Sequence, residues 1–467
     1  MILCRERGFN RHMHDGRKTP TTRSRALLMF VSSFTTLVAA LAGAAEPQPS
    51  VVVITVDTLR ADRLSSYGYD RPTSPNIDEL LSRGTRFTRA WTVEPLTNPA
   101  LASMITGMLP HEHGASRNGL RMREGIDSLP KVLAQNGWRT AAVVSNWTLK
   151  DNVSRLGEHF DDYLEIFTKR RYFGLINSEA DGSDVTDEAI TWLDGHLEAN
   201  PDQPFLMWVH YIEPHAPYQY QEDFAADLGI TGSNPSKSDR YDTEIAAVDH
   251  EISRLLKWLK KNMEGDRMIT FFAADHGESL GEHEYWGHGR NLMEPGLRIP
   301  MGITWPGTVE QGVIHSQARI VDLGPTVLGL LSIDAPVSFI GTNWAPTLRR
   351  ASKKQPEKAF CYQAHRGAVH GTHESDRARS KGLLAVGRID GNLKEIFDVN
   401  DNTRQLFDLE KDPGELESLV DPKSAPSAGL VQCIGEISEA LGSLDRLKTR
   451  KMDDETVEQL RALGYLE

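Results

Sequence analysis

The chain has 467 residues, 39% hydrophobic and 25% charged, a composition that excludes intrinsic disorder and predicts one large globular domain plus a smaller one. Its 65 acidic against 52 basic residues leave a formal net charge of −13, and no basic face stands out, which argues against nucleic acid as a partner. An acidic protein repels a free anion at long range, so an anion site would have to be built locally by a metal or a helix terminus.

The first 45 residues read as a secretory signal peptide. Arg17, Lys18, Arg23 and Arg25 precede an apolar run from Ala26 to Ala44, softened by Ser32, Ser33, Thr35 and Thr36, which ends in the small-residue pattern Ala42-Gly43-Ala44. The competing reading is an uncleaved membrane anchor, since the run is nearly long enough to span. Removal of the signal would leave an exported protein, periplasmic or extracellular, with no stable membrane insertion. Met13 and Met29 are alternative starts. Of the three cysteines, Cys4 leaves with the signal. Cys361 and Cys433 either pair in an oxidising compartment or remain separate buried thiols, and the sequence does not choose.

From Val51 onward, short apolar runs alternate with helical patterns. Val51–Val56 ends at Asp57, Thr140–Val144 at Ser145-Asn146, Phe205–Val209 at His210, Met268–Ala274 at Asp275-His276, and Met301–Trp305 at Pro306-Gly307. Runs that are apolar on both faces suit buried strands of a parallel sheet. Between them, Ile77, Leu80 and Leu81 form a stripe stopped by Gly84, and Tyr241, Ile245, Val248, Ile252, Leu255, Leu256 and Leu259 recur at helical spacing. The alternation predicts an α/β domain over residues 46–335: a doubly wound, mostly parallel sheet flanked by helices. Its ligands should collect beyond the carboxyl ends of the strands. Residues 336–467 read as a smaller antiparallel sheet plus helix. There, Leu383–Ile389 and Leu393–Val399 form a hairpin on Asp390-Gly391, Gln405–Leu409 follows, and Asp453–Leu463 looks helical.

Three of these positions suggest chemistry. A carboxylate at the end of an apolar strand, such as Asp57, needs a metal, a cation or a helix N-terminus as partner. Asp275-His276-Gly277 puts two hard or borderline ligands at another strand end, and with Asp57 they approach a complete divalent-cation site. Thr97 precedes Pro99, which suits a first helical turn, so its hydroxyl lies at a helix N-terminus. That position is either a plain cap or, beside a cation, an activated nucleophile.

The order of motifs resembles that of bacterial sulfatases, in the alkaline-phosphatase-like superfamily. The matching segments are Val53-Ile54-Thr55-Val56-Asp57, Thr73-Ser74-Pro75-Asn76-Ile77-Asp78, the stretch Thr97–Gly107 and Pro110-His111-Glu112-His113-Gly114. Further on come His210 with Glu213-Pro214-His215-Ala216-Pro217-Tyr218, then Asp275-His276-Gly277-Glu278, and finally Leu406–Glu415. Together they cover Val51 to Glu467 in order. The resemblance implies one divalent metal ion (Ca, Mg, Mn or Zn) held by Asp57, Thr97, Asp275 and His276. It implies Thr97 as nucleophile, His215 as ligand of the substrate anion and His288 as leaving-group acid.

The chain also departs from the family pattern. Threonine stands where sulfatases carry the Cys or Ser that becomes formylglycine, so formylglycine is not expected. Leu101 replaces an arginine, Thr58 replaces a second aspartate, and Ser145-Asn146-Trp147-Thr148 replaces Gly-Lys-Trp-His. Threonine is the nucleophile in related nucleotide pyrophosphatases and phosphoethanolamine transferases, and Asn146 resembles the pyrophosphatase asparagine that binds phosphate. Arg117 and Asn118 are candidates to restore one cation and one amide to the substrate site, or else are loop surface. With three basic groups gone, the expected substrate is a small-molecule, glycan or lipid ester that is singly charged: a sulfate ester, phosphodiester or phosphonate monoester. Two other readings compete. One is a transferase on the same fold, and the other is a non-catalytic glycan-binding protein.

Overall fold

The computed structural model describes residues 48–171, 176–232, 234–263, 265–350, 358–368, 376–379 and 381–440. The expected signal peptide, the alternative starts and the expected helix at 453–463 lie outside the described residues. Among those described, no helix is long and apolar enough to cross a membrane.

The apolar runs become the strands of one eight-stranded sheet. In chain order these are β1 (Ser50–Val56), β2 (Thr85–Phe87), β3 (Arg139–Val144), β4 (Asp162–Glu165), β5 (Phe205–Tyr211), β6 (Met268–Ala274), β7 (Met301–Thr304) and β8 (Gly312–Ile314). Across the sheet the order is β8-β2-β7-β6-β1-β5-β3-β4. Strand β1 is fully buried and lies between two parallel neighbours, with Val56 opposite both Tyr211 and Ala274, while Val144 lies opposite His210. That register brings Asp57, Asn146, His210 and Asp275 to one stretch of the carboxyl edge.

One expectation fails. Met301–Thr304 does not join the parallel set but runs antiparallel to both β6 and β2. The chain between Ala274 and Met301 has no long crossover helix to carry it back to the other edge of the sheet, so the next strand re-enters from the edge where β6 ended.

The helices that flank this sheet include α1 (Pro75–Ser82), α2 (Thr97–Thr106), α3 (Gly182–Ala199) and α4 (Lys237–Asn262). Helix α2 opens at Thr97 and stops at Gly107, whose φ of 63° suits a residue without a Cβ, and all ten of its residues are buried. Helix α4 starts in a capping box between Ser236 and Asp239 and turns Tyr241, Ile245, Val248, Ile252, Leu255 and Leu259 into the core. Phe339, Trp344 and Leu348 still pack with this main core.

A second sheet, β9 (Phe360–His365), β10 (Leu383–Asp390), β11 (Leu393–Asp398) and β12 (Thr403–Asp408), is antiparallel throughout, in sequence order. The helix Ala428–Ala440 packs on it through Leu430, Val431, Ile434 and Ile437. Cys361 and Cys433 form a disulfide between β9 and this helix, deciding what the sequence left open. Lys394 is fully buried, with its ammonium 2.8 Å from Glu294 and 2.6 Å from Glu415, and so clasps this sheet to the segment that follows His288.

Candidate metal centre

Asp57, His210 and Asp275 each offer a ligand atom, and these atoms all lie within 4.8 Å of one another. All three side chains are shielded from solvent, and Asp57 Oδ1, Asp275 Oδ2 and His210 Nε2 have no hydrogen-bond partner. Three orphaned polar atoms on two carboxylates and an imidazole are costly to bury unless a cation completes them, so this donor set fits a divalent ion.

The other oxygens are spoken for. Asp275 Oδ1 accepts from the backbone N–H groups of Thr58 (3.0 Å) and His276 (2.7 Å), which turns Oδ2 inward. Thr58 adopts a left-handed φ of 56°, unusual for a β-branched residue, and is held there by its hydroxyl bond to Asp57 O and by Tyr241, whose hydroxyl donates to Thr58 O at 2.7 Å. In this pose Thr58, where the family resemblance expects a second carboxylate, orients Asp275 through its backbone.

His276 joins the cluster. Its Nδ1 donates to Gly277 O at 2.9 Å, leaving the Nε2 lone pair 3.4 Å from Asp275 Oδ2 and 3.9 Å from Asp57 Oδ1. Gly277 permits this pose, because a Cβ there would stand 2.0 Å from the Pro295 carbonyl oxygen. Thr97 Oγ1 lies 3.5 Å from His276 Nε2, at the first residue of α2. The structure therefore places Asp57, Thr97, Asp275 and His276 in one cluster. It adds His210, whose Nε2 is 3.6 Å from Asp57 Oδ2 and whose Nδ1 is 2.9 Å from Thr55 Oγ1. The apolar run ending at His210 carried the signal for it, but nothing local to that run said which strand lay alongside.

His215 and His288 are only partly buried. Their rings are 5.3 Å apart, and the His288 ring is 4.5 Å from that of His276. His288 Nδ1 is 3.1 Å from Glu278 Oε1, while His215 Nδ1 is buried without a partner. Asn146 and Asn118 are committed partly elsewhere. Asn146 Nδ2 donates to Asp57 Oδ2 at 2.6 Å, and its oxygen caps the turn at Thr148. Asn118 Oδ1 accepts from Asn98 N, inside the first turn of α2. Arg117 is half-buried and spends its Nε on the carbonyls of Arg366 and Gly367.

Burial acts on every one of these groups. It would raise Asp57, but the close approach of His210 and the charges of His215, His210 and His276 prevail and lower it. Burial and then the charge of Asp57 hold Asp275 well above the carboxylate range. Burial, with His288 beside it, pushes His276 down to about 3, so its imidazole is neutral, as a ligand must be. For His288, burial is outweighed by the charge and hydrogen bond of Glu278, and its affinity for a proton rises.

A family model described as Sulfatase matches residues 49–333, and a second, described as N-sulphoglucosamine sulphohydrolase, C-terminal, matches residues 281–430. The chain is 24% identical to the Δ4,5-hexuronate-2-O-sulfatase of Bacteroides thetaiotaomicron, over 89% of this chain and 92% of that one. Two solved structures share the fold. One, a complex with its substrate D-glucosamine-2-N,6-O-disulfate, has a TM-score of 0.67 at 21% identity and covers 85% of this chain and 98% of its own. The other is the phosphonate monoester hydrolase of Agrobacterium radiobacter, with a TM-score of 0.64 at 18% identity, covering 86% and 96%.

Proposed function

The chain belongs to the sulfatase family, and from that premise we propose that it is a metal-dependent hydrolase of singly charged esters with Thr97 as the nucleophile. The observation that carries this reading is the Thr97 hydroxyl, at the positive end of α2 and 3.5 Å from His276 Nε2, beside the unpartnered oxygens of Asp57 and Asp275. A divalent cation held by Asp57, Asp275, His276 and Thr97, with His210 as a further donor, would compensate the charge of an ionised threonine and of the ester's non-bridging oxygens.

Thr97 passes its proton to solvent water, and its oxygen forms the new bond to sulfur or phosphorus. The bond to the leaving oxygen breaks in line, and His288 donates the proton that this oxygen takes up. His288 suits that task because the charge and hydrogen bond of Glu278 raise its affinity for a proton. His215, with a buried nitrogen free and its ring 5.3 Å from that of His288, would bind the non-bridging oxygens. Water then cleaves the threonine ester and restores the hydroxyl. Formylglycine plays no part, since threonine cannot be oxidised to that aldehyde.

The expected charge state of the substrate rests on the positions where the family resemblance expects basic groups. Leu101 and Thr148 are buried and neutral, and the Asn146 amide is turned to Asp57, so little positive charge remains for a dianion. Sulfate esters, phosphodiesters and phosphonate monoesters carry one charge and are the expected substrates. The Cys361–Cys433 disulfide supports an oxidising, extracytoplasmic compartment. The test is a panel of matched chromogenic sulfate, phosphodiester, phosphonate and phosphate monoester substrates with Ca, Mg, Mn and Zn. The reading fails if no ester is cleaved, or if kcat/KM is highest for the phosphate monoester.

A further inference from the structure

The segment that delivers Thr97 is gripped from the second sheet. Glu94, three residues before Thr97, is fully buried and is met by two side chains of β9. Gln363 Nε2 donates to Glu94 Oε2 at 3.0 Å, and His365 Nδ1 lies 2.9 Å from Glu94 Oε1. The Gln363 backbone N–H donates to Val93 O at 3.0 Å, so the free edge of β9 continues its pairing onto this loop. Gln363 is itself oriented by His111, whose Nδ1 is 3.0 Å from Gln363 Oε1.

The Glu94 carboxylate, which only accepts, sets the donors around it. Gln363 presents Nε2 to Glu94 and turns its oxygen to His111, and the remaining Glu94 oxygen accepts a hydrogen bond from His365 Nδ1. On its other flank the same segment is packed tight. Gly289, at φ +82°, lies so close that a Cβ there would stand 2.6 Å from Leu96 Cδ2. Leu96 N also donates to Glu94 O at 2.9 Å, so a displacement of Glu94 is passed to the residue before Thr97.

We infer that Glu94 and His365 are a positioning pair through which the second sheet fixes the reach of the Thr97 hydroxyl. The inference rests on the proposed nucleophile role of Thr97 for its kinetic consequence, but not for its structural one. Neither residue is assigned contact with substrate. Their role is to hold the main chain of residues 93–96 so that α2 opens with the Thr97 oxygen facing His276.

Two isosteres separate positioning from chemistry at the free ring nitrogen, since His365 Nε2 is buried without a partner. The amide nitrogen of asparagine occupies the place of Nδ1, and that of glutamine the place of Nε2. Hydrogen exchange of the 93–100 amides and steady-state kinetics on the best ester are measured for wild type, His365→Asn, His365→Gln and Glu94→Gln. His365→Asn should keep wild-type exchange and most turnover. His365→Gln should speed exchange of the segment about tenfold or more and lower kcat about 10- to 100-fold, with KM within about twofold. Glu94→Gln, which accepts one bond fewer, should fall between them. The pair is refuted if His365→Gln leaves exchange unchanged, or if it outperforms His365→Asn. Should wild type cleave no ester, the proposed function falls while the exchange data still decide the pair.

Discussion

The cation site can be tested through stability alone. Asp57 and Asp275 are buried carboxylates whose ligand atoms are within 4.8 Å. At an effective dielectric of 20, two unit charges at that separation repel by about 3.5 kcal/mol. Asp275→Asn keeps the Oδ1 acceptor for Thr58 N and His276 N and replaces the orphaned oxygen with a neutral amide. In chelator the variant should therefore be more stable than wild type. Proton uptake by wild-type Asp275 relieves part of the repulsion, so the expected gain is about 1–3 kcal/mol. Adding metal should reverse the order. Wild type should gain about 4 kcal/mol at a thousandfold excess over the dissociation constant, and the variant little. Thermal or urea melts in chelator and across a metal titration read both effects. The reasoning is refuted if the variant is the less stable protein in chelator, or if metal stabilises both equally.

Thr97→Ala should lose at least about 10³-fold in kcat while melting like wild type, and Thr97→Ser should retain part of the rate; near-normal turnover by the alanine variant would make Thr97 a plain cap. Lys394→Met strands two buried carboxylates, Glu294 and Glu415, and should cost about 3–5 kcal/mol in urea melts, with part recovered on adding Glu415→Gln. His113 bears on acid stability. Its Nδ1 accepts from Ala115 N and its Nε2 lies 2.9 Å from Ser103 Oγ, so both nitrogens are satisfied by the neutral ring, and burial pushes it down to about 3. Between pH 6.5 and 3 the unfolded chain binds this proton and the folded one does not, so acid favours unfolding. At pH 5 this amounts to about 2 kcal/mol. A neutral replacement such as His113→Gln should flatten the fall in stability measured from pH 6.5 to 4.

What the sequence made legible was local. Asp57 and Asp275-His276 stood out because each ends a run that is apolar on both faces, where an ionisable group has no reason to be unless something is bound there. Thr97 stood out because Pro99 marks a first helical turn. What it concealed depended on pairing at a distance. His210 ended an apolar run in the same way, but its place beside Asp57 required β5 to lie next to β1. The bond from Asn146 to Asp57, and the bond from Asn118 to the start of α2, could be seen only once distant strands and loops were assembled. The direction of Met301–Thr304 depended on the path of the chain after Ala274, and apolar periodicity carries no direction. Glu94 and His365 had no pattern at all, being 271 residues apart.

The position of β1 also has a consequence for the order of synthesis. Its partners arrive late: His210 follows Thr55 by 155 residues, and Asp275 follows Thr58 by 217. At roughly 5–20 residues per second, about 10–40 s separate the making of the first half of the cation site from the second. Until β5 emerges β1 is an apolar strand with both edges open, one edge still lacks its partner until β6 emerges, and loop closure over such spans is slow. A nascent chain that stops before Asp275 should accordingly remain protease-sensitive and bind no cation, whatever it has already formed.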